Sequence, residues 1–105
     1  MIDMEVVSGI TEKLSKEFFD SIKKHDELFN TTHEAYAVIK EELEELRDGV
    51  KADDWENIEL EALQIGAMAM KLLYSLPAIL KKYAEKGHGK VDNLTLKLPF
   101  DEGDL

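Results

Sequence analysis

Apolar residues recur at steps of three and four almost throughout this chain, with little strand-like alternation before residue 90. That spacing puts apolar side chains on one face of an α-helix and would scatter them across both faces of a strand. Ile10, Leu14, Phe18, Ile22 and Leu28 form one such stripe and predict a helix from Gly9 to Leu28. Asn30-Thr31-Thr32 breaks it, and Thr31 with Glu34 has the spacing of a capping box, so a second helix is expected from Thr32 to Asp48. Gly49 is the expected stop. Asp53 or Asp54 can cap a third helix, Trp55 to Tyr74, with Glu56 in its first turn. Pro77 either kinks that helix or opens a fourth ending at Lys86, because proline is best tolerated in a first turn. After Gly87-His88-Gly89 the chain alternates weakly through Val91, Leu94, Leu96, Leu98 and Phe100. The expectation is a single all-α domain over 1–105, helical over 9–86. It is four-helix-bundle-like, with antiparallel central helices and a short extended C-terminal tail over 87–105.

Composition narrows the partners. Hydrophobic residues at 44% and charged residues at 34% describe an ordinary globular chain, not a disordered one. A net charge of −10 argues against a nucleic-acid backbone or an anionic membrane surface as partner. The greasiest run, Ile65 to Leu80, is interrupted by Lys71 and Pro77 and is short for a bilayer span. Met1 to Ile10 lacks a basic-then-apolar leader pattern, and the chain has no cysteine. A cytoplasmic protein is expected.

Several acids fall where a helix should be greasy. With 100° per residue, Ala35, Val38, Ile39, Leu46 and Gly49 share one arc of the second helix. Glu42 lies inside that arc and Glu45 at its edge, whereas Glu41, Glu44 and Asp48 point outward. In the third helix Ile58, Ile65, Met68 and Leu72 define an arc with Glu61 at its middle and Gln64 at its border. The short link from Gly49 to Asp54 favours an antiparallel helix pair, which brings the two sets level. Two carboxylates ~4 Å apart repel by about 4 kcal/mol at an effective dielectric of about 20. A hard cation such as Mg²⁺ or Mn²⁺ removes that penalty, since oxygen ligands are what it prefers. The competing reading is a solvated acidic face, natural for glutamate in a helix. Lys71, two turns beyond Gln64 on the same side, is a candidate phosphate contact, or a lysine snorkelling out of a buried helix.

The string Ile39-Lys40-Glu41-Glu42-Leu43-Glu44-Glu45-Leu46, followed by Glu61-Ala62-Leu63-Gln64, resembles the paired ExxE and ExxD motifs of the MazG-like nucleoside triphosphate pyrophosphohydrolases. These belong to the all-α pyrophosphatase superfamily. The resemblance spans about residues 31 to 73. It implies a Mg²⁺-binding, dimeric or tetrameric helical protein that hydrolyses a nucleoside triphosphate to a monophosphate and pyrophosphate. It also implies that Glu42, Glu45, Glu61 and Gln64 hold metal, and that Glu41 orients or activates a water. Gln64 stands where the family motif has aspartate, and the family's basic residues after the third helix are not recognisable here.

Other chemistries find little support. His25, His33 and His88 share no spacing with the acids, and no phosphate loop or glycine-framed nucleophile is present. The third helix is apolar on most of its circumference, through Leu60, Leu63, Ala67, Met70 and Leu73 as well as the first arc. Such a helix is expected to be covered on both sides, which in a chain this small points to subunit association as a symmetric dimer; a homotetramer is implied by the family resemblance alone. The alternative to an enzyme is a non-catalytic helical module that binds nucleotide or a basic partner.

Overall fold

The computed structural model describes residues 1–25 and 28–85. They form three helices: α1 (Met4–His25), α2 (Thr32–Lys51) and α3 (Trp55–Glu85). Among the described residues there is no strand. The expected extended tail lies outside the described residues.

Among the described residues the all-α expectation holds, and the four-helix arrangement does not. Pro77 sits inside α3, which continues as one helix to Glu85, so no fourth helix begins there. Proline removes the backbone donor that would reach the carbonyl of Leu73. Continuing the helix keeps Ile79 packed on the core, and that burial offsets the lost bond.

Two other boundaries differ from expectation. Helix α1 starts at Met4 because Asp3 caps it, its Oδ1 accepting from the backbone N of Glu5 at 3.0 Å and of Val6 at 3.3 Å. It ends at His25, leaving Leu28 beyond the helix. Gly49 does not stop α2. The helix runs to Lys51 and closes with paired bonds from Asp53 N to Val50 O and Asp54 N to Gly49 O, at 3.2 and 3.0 Å. The left-handed position of this turn is taken by Asp53, with φ of 51°. Asp54 then caps α3, accepting from Asn57 N at 3.2 Å. At the other end of α2, Thr31 caps as expected, accepting from Glu34 N at 3.0 Å.

Helix α3 is the support on which the other two lie, since α1 and α2 each pack on it and make no close backbone approach to each other. Contacts of α2 with α3 run in opposite directions along the two helices, from Gly49 against Asn57 and Ile58 to Glu42 near Glu61. The pair is therefore antiparallel. Contacts of α1 rise together with those of α3, through Lys13 to Glu59, Glu17 to Gln64 and Phe18 to Tyr74. By length and composition α3 could also cross a bilayer. Here its apolar surface carries α1 and α2, and Glu61 and Lys71 are buried within it.

The core is small: Phe18, Phe29, Ala35, Ala67 and Met68, flanked by Ile22, Val38, Ile39 and Ile79. Phe29, just beyond α1, is latched to α3. Its backbone N donates to Ser75 Oγ at 3.0 Å, Ser75 Oγ donates to Lys71 O at 2.7 Å, and Lys71 Nζ lies 4.6 Å from the Phe29 ring centre. Ile10, counted in the expected buried stripe, is 50% exposed, as are Leu60 at 47% and Leu73 at 44%. Within one chain, the outer apolar face of α3 is left uncovered there.

Candidate metal centre

The turn between α2 and α3 sets the register of the site. Gly49 is buried against α3, and a Cβ on it would lie 2.9 Å from Asn57 Nδ2 and 3.5 Å from Ile58 Cγ1. The absence of a side chain there lets the two backbones close up. One turn back along α2 stands Glu45, and one turn forward along α3 stands Glu61. Antiparallel packing from that contact brings them to the same level, and Glu42 follows one turn further along α2. One carboxylate oxygen from each of Glu42, Glu45 and Glu61 lies within 4.8 Å of the others.

The three differ in burial. Glu61 is 6% exposed, Glu42 is half-buried and Glu45 is exposed. Glu61 Oε2 is shut off from solvent and has no hydrogen-bond partner. Its neighbours within reach are carboxylates, which only accept when ionised. A hydrogen bond inside the trio therefore needs a proton. Glu61 is raised above the ordinary glutamate value by a hydrogen bond with Glu42, by burial and by the charge of Glu42. Glu45 is raised chiefly by hydrogen bonding to Glu61 and by its charge. Neither ion pair among the described residues, Lys13 with Glu59 and Arg47 with Asp48, includes a member of the trio.

A cleft opens beside these acids, in the space between α1 and α2 with α3 as its floor. Its volume is about 490 Å³. Glu42 belongs to both the trio and the cleft wall, and Glu17, Asp20, Glu34, Ser21, Gln64, Lys24 and Lys71 make up the rest of its polar lining, so carboxylates outnumber cations there. Lys71 is buried, with its ammonium over the Phe29 ring, so a positive charge is held inside an acidic protein. Gln64 is half-buried, and its Nε2 donates to Glu17 Oε2 at 2.8 Å.

The donor set suits a hard divalent cation. Three carboxylates supply oxygen only, and an orphaned buried oxygen is the kind of group a cation would satisfy. Glu41 lies exposed on α2, outside both the trio and the cleft wall, although its charge contributes to raising Glu45. Sequence reasoning missed Glu17 and Phe29, whose partners are 47 and 46 residues away along the chain. Glu17 does fall one residue before Phe18, on the edge of the apolar stripe, which is the only local signal of an inward position. Comparison with known protein families, with curated proteins and with solved structures returns no match.

Proposed function

We propose that this chain is a divalent-cation-dependent nucleoside triphosphate pyrophosphohydrolase, or a weakly active relative, resembling the MazG-like enzymes. The observation that carries the proposal is Glu61 Oε2, buried without a partner between two further carboxylates, at the edge of a cleft that holds a buried lysine. Glu42, Glu45 and Glu61 would hold Mg²⁺ or Mn²⁺. The ion would supply charge neutralisation and polarisation at the phosphate oxygens.

The residues of the chain supply the rest. Lys71 and Lys24 offer the cleft's cations to a polyphosphate, and the bound ion would have to offset repulsion from the wall acids Glu17, Asp20, Glu34 and Glu42. A cleft of about 490 Å³ falls within the range of small-ligand sites. Glu41 as the acid that activates water rests on the family resemblance alone. The exposed Leu60 and Leu73 support association into a homodimer or homotetramer. No nucleic acid or membrane partner is invoked, and a cytoplasmic setting accords with the acidic surface.

The test is pyrophosphate release from a panel of nucleoside triphosphates with Mg²⁺, comparing the native chain with Glu42→Gln and Glu61→Gln. A fall of about 100-fold is expected in each, the upper end of what loss of a metal-site partner costs. Unchanged release in both would remove these residues from the reaction. The second reading, a nucleotide-binding module without turnover, is favoured by one feature: the Gln64 amide is already engaged with Glu17, leaving three acids where the family pattern has four. It requires cation-dependent nucleotide binding with no pyrophosphate released.

A further inference from the structure

Gln64 and Glu17 meet across the junction of α1 and α3, and the chemistry of the pair fixes an orientation. An ionised carboxylate accepts hydrogen bonds and cannot donate them. Glu17 Oε2, 2.8 Å from the Gln64 amide, therefore dictates that the nitrogen faces α1. The carbonyl oxygen, on the other branch of the amide, cannot bond to that carboxylate and is left for another partner. Gln64 stands one turn beyond Glu61 on α3, and both Gln64 and Glu17 line the cleft that Glu42 also lines. We propose that Glu17 is a positioning residue: by holding the Gln64 nitrogen, it presents the Gln64 carbonyl as a neutral oxygen donor to a cation held by Glu42, Glu45 and Glu61.

The inference rests on reading those three acids as a cation site, and it adds a dependence that the acids alone do not contain. Helix α1 makes no close approach to α2, where two of the ligands reside. The Glu17–Gln64 bond nevertheless connects α1 to the site through α3. Cation affinity should therefore respond to a residue that touches no cation. Outer partners that orient a metal ligand commonly change affinity by about 10- to 100-fold when removed.

The experiment is calorimetric titration of the full chain with Mn²⁺, alongside melting in EDTA. Glu17→Ala should weaken Mn²⁺ binding by about 10-fold or more. The double exchange Glu17→Gln with Gln64→Glu moves the amide to α1 and the carboxylate to α3, keeps one donor facing one acceptor, and should bind Mn²⁺ at least as tightly as the native chain. Glu61→Gln serves as the reference and should abolish binding. If Glu61→Gln abolishes binding while Glu17→Ala stays within about twofold of native, Glu17 has no positioning role and the cation site stands. A Glu17→Ala chain that melts earlier in EDTA yet binds Mn²⁺ normally overturns the proposal in the same way, since that is a packing effect only. A folded double exchange that binds about 10-fold more weakly also overturns it. No Mn²⁺ binding by the native chain overturns both readings together.

Discussion

Helix α3 is gripped on two sides by different kinds of polar contact. Toward α1 the polar groups are complementary: Lys13 meets Glu59 at 3.0 Å, and the Gln64 amide meets the Glu17 carboxylate at 2.8 Å. Further along, Ser75 Oγ both accepts from Phe29 N and donates to Lys71 O. Toward α2 the corresponding groups are three carboxylates with no donor among them. The first seam satisfies its buried groups from within the chain. The second cannot, since a proton or a cation must be added to it. A seam that stays incomplete after folding marks where the chain expects something from solution.

The largest effect should come from damaging the satisfied side. Ser75→Ala removes the acceptor for the buried Phe29 N–H and should cost about 2 kcal/mol. For a domain of this size that lowers the melting temperature by about 8 °C. Denaturant unfolding with and without Mg²⁺ should show the same loss in both, because the latch lies away from the trio. A loss confined to the cation-bound form would tie the two seams together and weaken the contrast.

Damaging the incomplete side should do the opposite. Glu61→Gln places an amide donor among acceptors and removes one charge, so the metal-free protein should gain on the order of 1 kcal/mol, the low end for an unsatisfied buried group because Glu45 leaves the site open to water. Melting in EDTA measures this. A loss of stability in EDTA would mean that the native acid already has a partner.

Titration sharpens the same contrast. Glu45 and Glu61 are both raised above their ordinary value of 4.5, so the folded chain holds protons that the unfolded chain has released. Stability from these groups is present at and below about 4.5 and is lost as pH climbs through their raised folded values. Metal-free protein should therefore lose stability with rising pH across that window, and Glu61→Gln should flatten the slope. Saturating cation should reverse it, because the ion binds the ionised acids. Urea unfolding over a pH series, with and without Mn²⁺, reads both slopes.

The smallest effect concerns the turn that aligns the second seam. Asp53 holds a φ of 51°, and Asp53→Gly should stabilise the chain by a few tenths to about 1 kcal/mol without altering cation affinity. Altered affinity would show that the turn tunes the site as well as building it.

Much of this is legible in the residues, for a local reason. Caps act within a turn, so Thr31 and Asp54 announce the starts of α2 and α3. Helical periodicity is also local, and it puts Glu42, Glu45 and Glu61 on inward arcs before any packing is known. The boundaries that differ are decided by tertiary contacts. Gly49 reads as a stop, yet α3 presses against it and the helix continues. Pro77 reads as either a kink or the start of a fourth helix, and α3 runs on through it with Ile79 packed on the core beyond. Gln64 shows its facing in the sequence but not its bond to Glu17, which depends on how α1 docks. Ile10 matches the stripe of α1 yet stays half-exposed, one turn before the Lys13–Glu59 contact with α3.

The central claim, that the acids of α2 and α3 are completed by one shared ion, is tested most directly by thermal melting with Mg²⁺ or Mn²⁺ titrated into metal-free protein. Binding to the folded state alone raises stability by about 2.7 kcal/mol at a concentration of about 100 Kd, so the melting temperature should climb steadily with cation in the native chain and stay flat in Glu61→Gln. Equal curves for the two chains, or a native chain indifferent to both ions, would contradict the account.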